Sequence, residues 1–167
     1  MSAVLVDEGP DNGAVWHFGE PTQEQRALAA GKGWADLSHH EIITVAGVDR
    51  LSWLHSLTTQ HLEKLAAGVW QHVLILDPKG HIDHQFFLLD DGQRCWLVLD
   101  AGRAEPLLKH FEKMKFMLRV ECQNLSGEYA LLRAPGLADA VGGPYLIIPR
   151  SELAVQSAIF NQDAIQV

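Results

Sequence analysis

The residues best suited to chemistry fall in two short runs, Ser38-His39-His40-Glu41 and Gly80-His81-Ile82-Asp83-His84. Each combines a carboxylate with imidazoles, the side chains that bind metals or carry protons near neutral pH. His81 and His84 have the spacing of a metal pair on a helix, but their neighbours read as a strand, whose period of two turns them to opposite faces. The same alternation groups Asp83 with His81 and Gln85, and His84 with Ile82 and Phe86, so Asp83 and His84 are expected to point apart. No metal site is therefore expected unless His39 or His40 folds over to join one of the other histidines. The sequence contains no phosphate-cradling loop, Gly-x-Ser-x-Gly, Cys-x-x-Cys or His-Glu-x-x-His pattern. Gly31-Lys-Gly33 reads as a helix stop rather than a phosphate loop. Among five tryptophans, Trp53 falls on an apolar helix stripe and reads as core, whereas Trp34 and Trp70, beside glycines, are candidate walls for a flat ligand.

The elements that must position these groups alternate between strand and helix. Residues 1 to 15 are acidic, Gly-punctuated and without sustained period, and read as a flexible lead-in. A short helix is expected after Pro21 and a turn over Trp34 to Ser38. A strand follows over Glu41 to Ala46, ended by Gly47, and then an amphipathic helix capped by Asp49. Val69 to Leu76, Ile82 to Leu89 and Cys95 to Leu99 read as three strands. The separators Asp77-Pro-Lys-Gly and Asp90-Asp-Gly-Gln supply hairpin turns. Ala104, Leu107, Leu108, Phe111, Met114 and Leu118 mark the clearest helix, with Pro106 in its first turn. Strands are expected at Arg119 to Cys122, Tyr129 to Arg133 and Tyr145 to Ile148, with a short helix near Leu137 and a helical tail from Ser151. This order indicates an α+β fold, a mainly antiparallel sheet with helices packed on one face.

Composition sets the outer bounds. The chain has 167 residues, 47% of them apolar and 20% charged, which suits a folded domain with its own core. The net charge of -8, without any Lys/Arg cluster, excludes the electrostatic footprint of a nucleic-acid partner. No run approaches the roughly 18 apolar residues of a membrane span, and no basic-then-apolar leader opens the chain, so no membrane is expected and a cytoplasmic location is. Cys95 and Cys122 sit among apolar neighbours and read as reduced core thiols.

The runs Trp34-Ala-Asp-Leu-Ser-His-His-Glu, Val45-Ala-Gly-Val-Asp-Arg-Leu-Ser-Trp-Leu-His-Ser-Leu-Thr-Thr-Gln and Leu74-Ile-Leu-Asp-Pro-Lys-Gly-His-Ile-Asp-His resemble, in order and separation, the folate-binding superfamily of the glycine cleavage T-protein. Within it the chain is most similar to the YgfZ branch. The likeness covers residues 16–133 as a folate-binding-fold domain, leaving 134–167 as the start of a second subdomain or a C-terminal extension. Family members are about twice this length, so the resemblance extends to their N-terminal half only. It implies a ligand, tetrahydrofolate or a one-carbon derivative, and a role in folate-dependent iron–sulfur cluster assembly or repair, with iron–sulfur client proteins as partners.

The family's contact positions map onto His40, His72, Asp83, His84 and Arg103. T-proteins carry two adjacent acids on the strand after the hairpin, the second needed for methylene transfer, and these places hold Asp83 and His84. The first acid is kept and the catalytic one is replaced, so no catalytic residue is assigned. The YgfZ hallmark Lys-Gly-Cys-Tyr-x-Gly-Gln is absent, and neither cysteine stands in for it. Two alternatives accompany this reading. One is a folate-dependent aminomethyltransferase or other one-carbon transferase. The other is a truncated member acting as an interaction module, its missing C-terminal half replaced by a second copy or another chain.

Overall fold

Ile42-Ile43-Thr44-Val45 is β-branched throughout, which favours a strand, and all four residues are buried in a strand paired on both sides. In the computed structural model, which describes residues 3–134, 136 and 145–167 and only the backbone of Asp163, this strand is one of fifteen α-helices and β-strands, besides a 3-10 turn at Arg150–Glu152. In chain order the first are β1 (Val4–Leu5), β2 (Val15–His17), α1 (Pro21–Ala29), β3 (Gly33–Asp36), β4 (Glu41–Ala46) and α2 (Arg50–Leu57). Next come β5 (Trp70–Leu76), β6 (Ile82–Asp90), β7 (Arg94–Leu99), α3 (Ala104–Met114) and β8 (Glu121–Asn124). The last are β9 (Tyr129–Arg133), β10 (Tyr145–Pro149), α4 (Leu153–Asp163) and β11 (Ile165–Gln166). The helix expected near Leu137 lies outside the described residues.

Two compact units divide the chain, Glu41–Ser126 and the pair of segments Met1–His40 with Gly127–Val167. In the first unit five antiparallel strands run in the order β5-β6-β7-β4-β8. One face of this sheet offers Ile43, Val45, Val73, Ile75, Phe86, Leu88, Leu97 and Leu99 to a core shared with Trp53 and Leu54 of α2 and Ala104, Leu107 and Phe111 of α3. The helices thus cover one face, as the α+β reading expects. The stripe of α3 recurs every three or four residues, and Pro106 falls in the first turn, where a missing N–H costs no helical bond. The helix ends at Met114, a turn earlier than the apolar spacing predicts. Phe116 there takes a φ of 46°, and the chain reverses to bring Arg119 onto Asp49. Asp49 stands at the N-cap of α2 but does not cap it. Its carboxylate instead accepts from the backbone N–H of Arg119 at 2.9 Å and from its guanidinium at 3.0 and 3.1 Å.

The second unit pairs β10-β9-β3-β11 in one sheet and β1-β2 in another. β3 is a correction to the turn expected over Trp34 to Ser38. Its partners, antiparallel β9 and parallel β11, come from about a hundred residues or more further along the chain, and local sequence carries no trace of them. Trp34, only 1% exposed, packs with Leu132 and Ile148 and donates its indole N–H to Asn161 Oδ1 at 3.0 Å. Among the described residues no helix is long and apolar enough to cross a membrane.

Candidate functional site

The β5–β6 hairpin presents the Asp83–His84 run. Asp77 organises its turn: Oδ1 accepts the N–H groups of Lys79 and His81 at 2.8 and 2.9 Å, and Gly80, at φ 85°, donates to the Asp77 carbonyl at 2.9 Å. His81 is spent on this turn, its Nδ1 lying 3.1 Å from Asp77 Oδ2 at an exposed position.

Immediately after the turn the strands lose step. Ile75 faces His84, but Leu76 faces Ile82, so Asp83 is an extra residue in a β-bulge. The bulge overturns the strict alternation expected here. His84 does share the inner face with Phe86, its side chain 10% exposed, yet Asp83 does not point away from it: Asp83 Oδ2 lies 3.6 Å from His84 Nε2. Both residues line a cleft of about 300 Å³ with Ile82, Gln85, Leu99, Asp100 and Arg103. Arg103 is exposed at the N-cap of α3. Burial pushes the His84 imidazole below its ordinary pKa. Asp83 opposes that shift, while His110 and Arg103 add to it.

Of the five positions named from the sequence, Asp83, His84 and Arg103 come together in this cleft. His72 does not join them. It lies on the opposite face of the sheet, stacked on Phe87 with ring centroids 4.9 Å apart. His40 belongs to the other unit, where its ring meets that of His39 at 4.6 Å, and His39 Nε2 lies 3.0 Å from Asp11 Oδ1. Trp34 and Trp70 are buried and line no part of the cleft, which corrects their reading as ligand walls. Cys95 and Cys122 are free thiols, both pushed up by burial, Cys122 to about 11.

Two contributions escaped sequence reasoning. His110, half-buried on α3, brings its ring to 5.2 Å from that of His84. The available signal was its seven-residue separation from Arg103, two helical turns along one face. The other is the buried pair Arg50–Asp90. The guanidinium grips the carboxylate at 2.7 and 3.1 Å and holds the far end of β6 to α2.

A family model described as the GCVT N-terminal domain matches residues 11–137, most of the chain and all of the cleft. The chain belongs to this family. Among its relatives is an aminomethyltransferase of Rippkaea orientalis, 28% identical in an alignment 129 residues long that covers 71% of this chain and 34% of that protein. An aminomethyltransferase of Listeria monocytogenes serotype 4b is 30% identical over 116 residues, 68% of this chain and 31% of that protein. The chain spans about a third of the length of these curated relatives. The crystal structure of the glycine cleavage system aminomethyltransferase T from Bartonella henselae superposes with a TM-score of 0.78 at 16% identity, over 99% of this chain and 55% of that one. That likeness fixes the fold, which for the GCVT N-terminal domain is the α+β arrangement described above.

Proposed function

We propose that this chain binds tetrahydrofolate or a one-carbon derivative in the cleft formed by Asp83, His84 and Arg103. The observation that carries the reading is the bulge, which sets the Asp83 carboxylate beside His84 in a cleft with Arg103 at its edge. The donor set suits a pterin head. Its amino group and adjacent ring N–H match a carboxylate acceptor, and a neutral imidazole both donates and accepts. A volume of about 300 Å³ is at the small end for ligand pockets, so it takes the ring system and leaves the tail outside. The exposed guanidinium of Arg103 suits the carboxylates of that tail.

The YgfZ-like role, folate binding in the service of iron–sulfur cluster assembly or repair, rests on His84 standing where the resembled T-protein motif has its second acid. One observation favours a second reading, one-carbon transfer. Asp83, which alternation would have turned away from His84, presents a carboxylate to the cleft, so the site keeps an acid near a bound pterin.

Calorimetric titration of the chain with tetrahydrofolate and 5-formyltetrahydrofolate tests the first reading. Micromolar binding is expected, weakened at least tenfold by Asp83→Asn and by Arg103→Ala and unchanged by His72→Ala on the other face. Absence of binding, or equal loss in all three variants, would overturn it. Transfer of a methylene group from an aminomethyl donor to tetrahydrofolate, with release of ammonia, that Asp83→Asn abolishes would favour the second.

A further inference from the structure

We infer that Asp83, His84 and His110 form a binding site for one divalent transition-metal ion of the zinc type. The three donors come from two elements: Asp83 and His84 are neighbours at the bulged start of β6, and His110 lies two turns beyond Arg103 on α3. Each offers one ligand atom, and these atoms all lie within 4.8 Å of one another. The 3.6 Å between Asp83 Oδ2 and His84 Nε2 is too long for a hydrogen bond. It is close to the roughly 3.4 Å that separates two ligands around a tetrahedral zinc with bonds of about 2.0–2.2 Å. The rings of His84 and His110 lie 5.2 Å apart between centroids and are tilted by 55°, an arrangement compatible with both binding one ion.

The excess over that spacing lies in the distances to His110, and rotation of the half-buried His110 ring and of the Asp83 side chain, 51% exposed, would close it. Two imidazoles and one carboxylate favour zinc, cobalt or nickel over magnesium or calcium, which prefer all-oxygen shells. Three protein ligands leave a coordination position on the cleft side for water or a ligand atom. Arg103 is the opposing charge in the cleft. It is exposed at the helix start, with room to turn outward, and its repulsion sets the expected affinity at micromolar rather than nanomolar.

The site shares Asp83 and His84 with the proposed folate cleft, but His110 lines no part of that cleft and separates the two ideas. The test uses the whole chain, stripped with a chelator and without folate. Zinc chloride is titrated by calorimetry, and cobalt chloride by visible absorption. One ion per chain and the intense bands of low-coordinate cobalt are expected, with zinc affinity falling at least tenfold in His110→Ala and in Asp83→Asn. His39→Ala, which breaks the Asp11–His39–His40 cluster, is expected to leave that ion bound. Circular dichroism of each variant guards against unfolding, and Asp83→Asn changes an exposed side chain, so it serves if His110→Ala fails to fold. Folate titration of metal-free His110→Ala is expected to match the unsubstituted chain, so that each proposal fails by its own readout. No uptake of either ion, or uptake lost in His39→Ala and kept in His110→Ala, would overturn the inference.

Discussion

Asp90→Ala tests whether the buried ion pair holds the sheet that carries the cleft. Asp90 is 3% exposed and accepts from Arg50 Nε at 2.7 Å and Nη2 at 3.1 Å, from the Gly92 N–H at 3.1 Å and from the Cys95 thiol at 3.3 Å. Removing the carboxylate leaves a guanidinium whose side chain is 13% exposed and whose Nη1 still donates to the Gly47 carbonyl at 3.3 Å. Breaking one side of a buried pair costs about 3–5 kcal/mol. The retained carbonyl bond and residual exposure place this case near the lower bound, at about 3 kcal/mol. With a urea slope of about 1–3 kcal/mol per molar, the unfolding midpoint should fall by about 1–3 M. Tryptophan fluorescence across a urea series reads it. Asp90→Asn, which keeps one acceptor and loses the charge, should fall between. Replacing both partners by Arg50→Met with Asp90→Leu should recover most of the loss, because the cost comes from the stranded charge. A loss below about 1 kcal/mol in Asp90→Ala would refute the view that the stranded guanidinium dominates.

Gly47→Ala should be among the most damaging single changes in the chain. Gly47 sits at φ 113°, and a Cβ there would lie 2.0 Å from the Arg119 carbonyl oxygen, whereas Gly92→Ala, with open space around it, should cost only the backbone strain of its φ of 94°, about 1–2 kcal/mol, and lower the thermal midpoint less. Neither cysteine should react with Ellman's reagent at pH 7 in the folded chain, and both should react in urea, because burial raises Cys95 and holds Cys122 at about 11. Arg119 holds the Asp49 carboxyl below its ordinary value of 3.8. Its stabilising contribution is therefore fully present above that pH and lost as pH falls through the lowered value. Arg119→Ala should return the Asp49 titration, followed by NMR, to the ordinary range.

Elements set by local period were legible before the structure. α3 shows in the spacing of Leu107 and Phe111, β4 in its β-branched run, and both hairpins in their Asp and Gly turns. What remained hidden depends on partners remote in sequence. β3 exists because β9 and β11 pair with it, and α3 stops short because Arg119 is held by Asp49 across seventy residues. Asp49 shows the limit of a cap signature. The residue type and position were right, but the carboxylate found a stronger, charged partner than the helix N–H groups it faced.

At the cleft the failure of alternation matters more, because a functional argument rested on it. A period of two separates Asp83 from His84, and on that basis a carboxylate beside a bound pterin would be missing. One inserted residue opposite the Ile75–Leu76 step cancels the separation without changing which face His84 occupies. Bulges increase local twist and re-aim a single side chain while the rest of the strand keeps its pairing. Phe86 and Leu88 accordingly stay in the core while Asp83 turns toward the cleft. Loss of the second acid from the resembled motif therefore does not remove acid from the site. It exchanges a pair of carboxylates for a carboxylate beside two imidazoles, since His110 stands next to His84. Asp83 and His84 suit the proposed pterin edge, the three together suit the proposed divalent ion, and the set carries less negative charge than the pair it replaces. What discriminates the readings is therefore the response to Asp83→Asn against His110→Ala: a folate site depends on the first alone, a metal site on both.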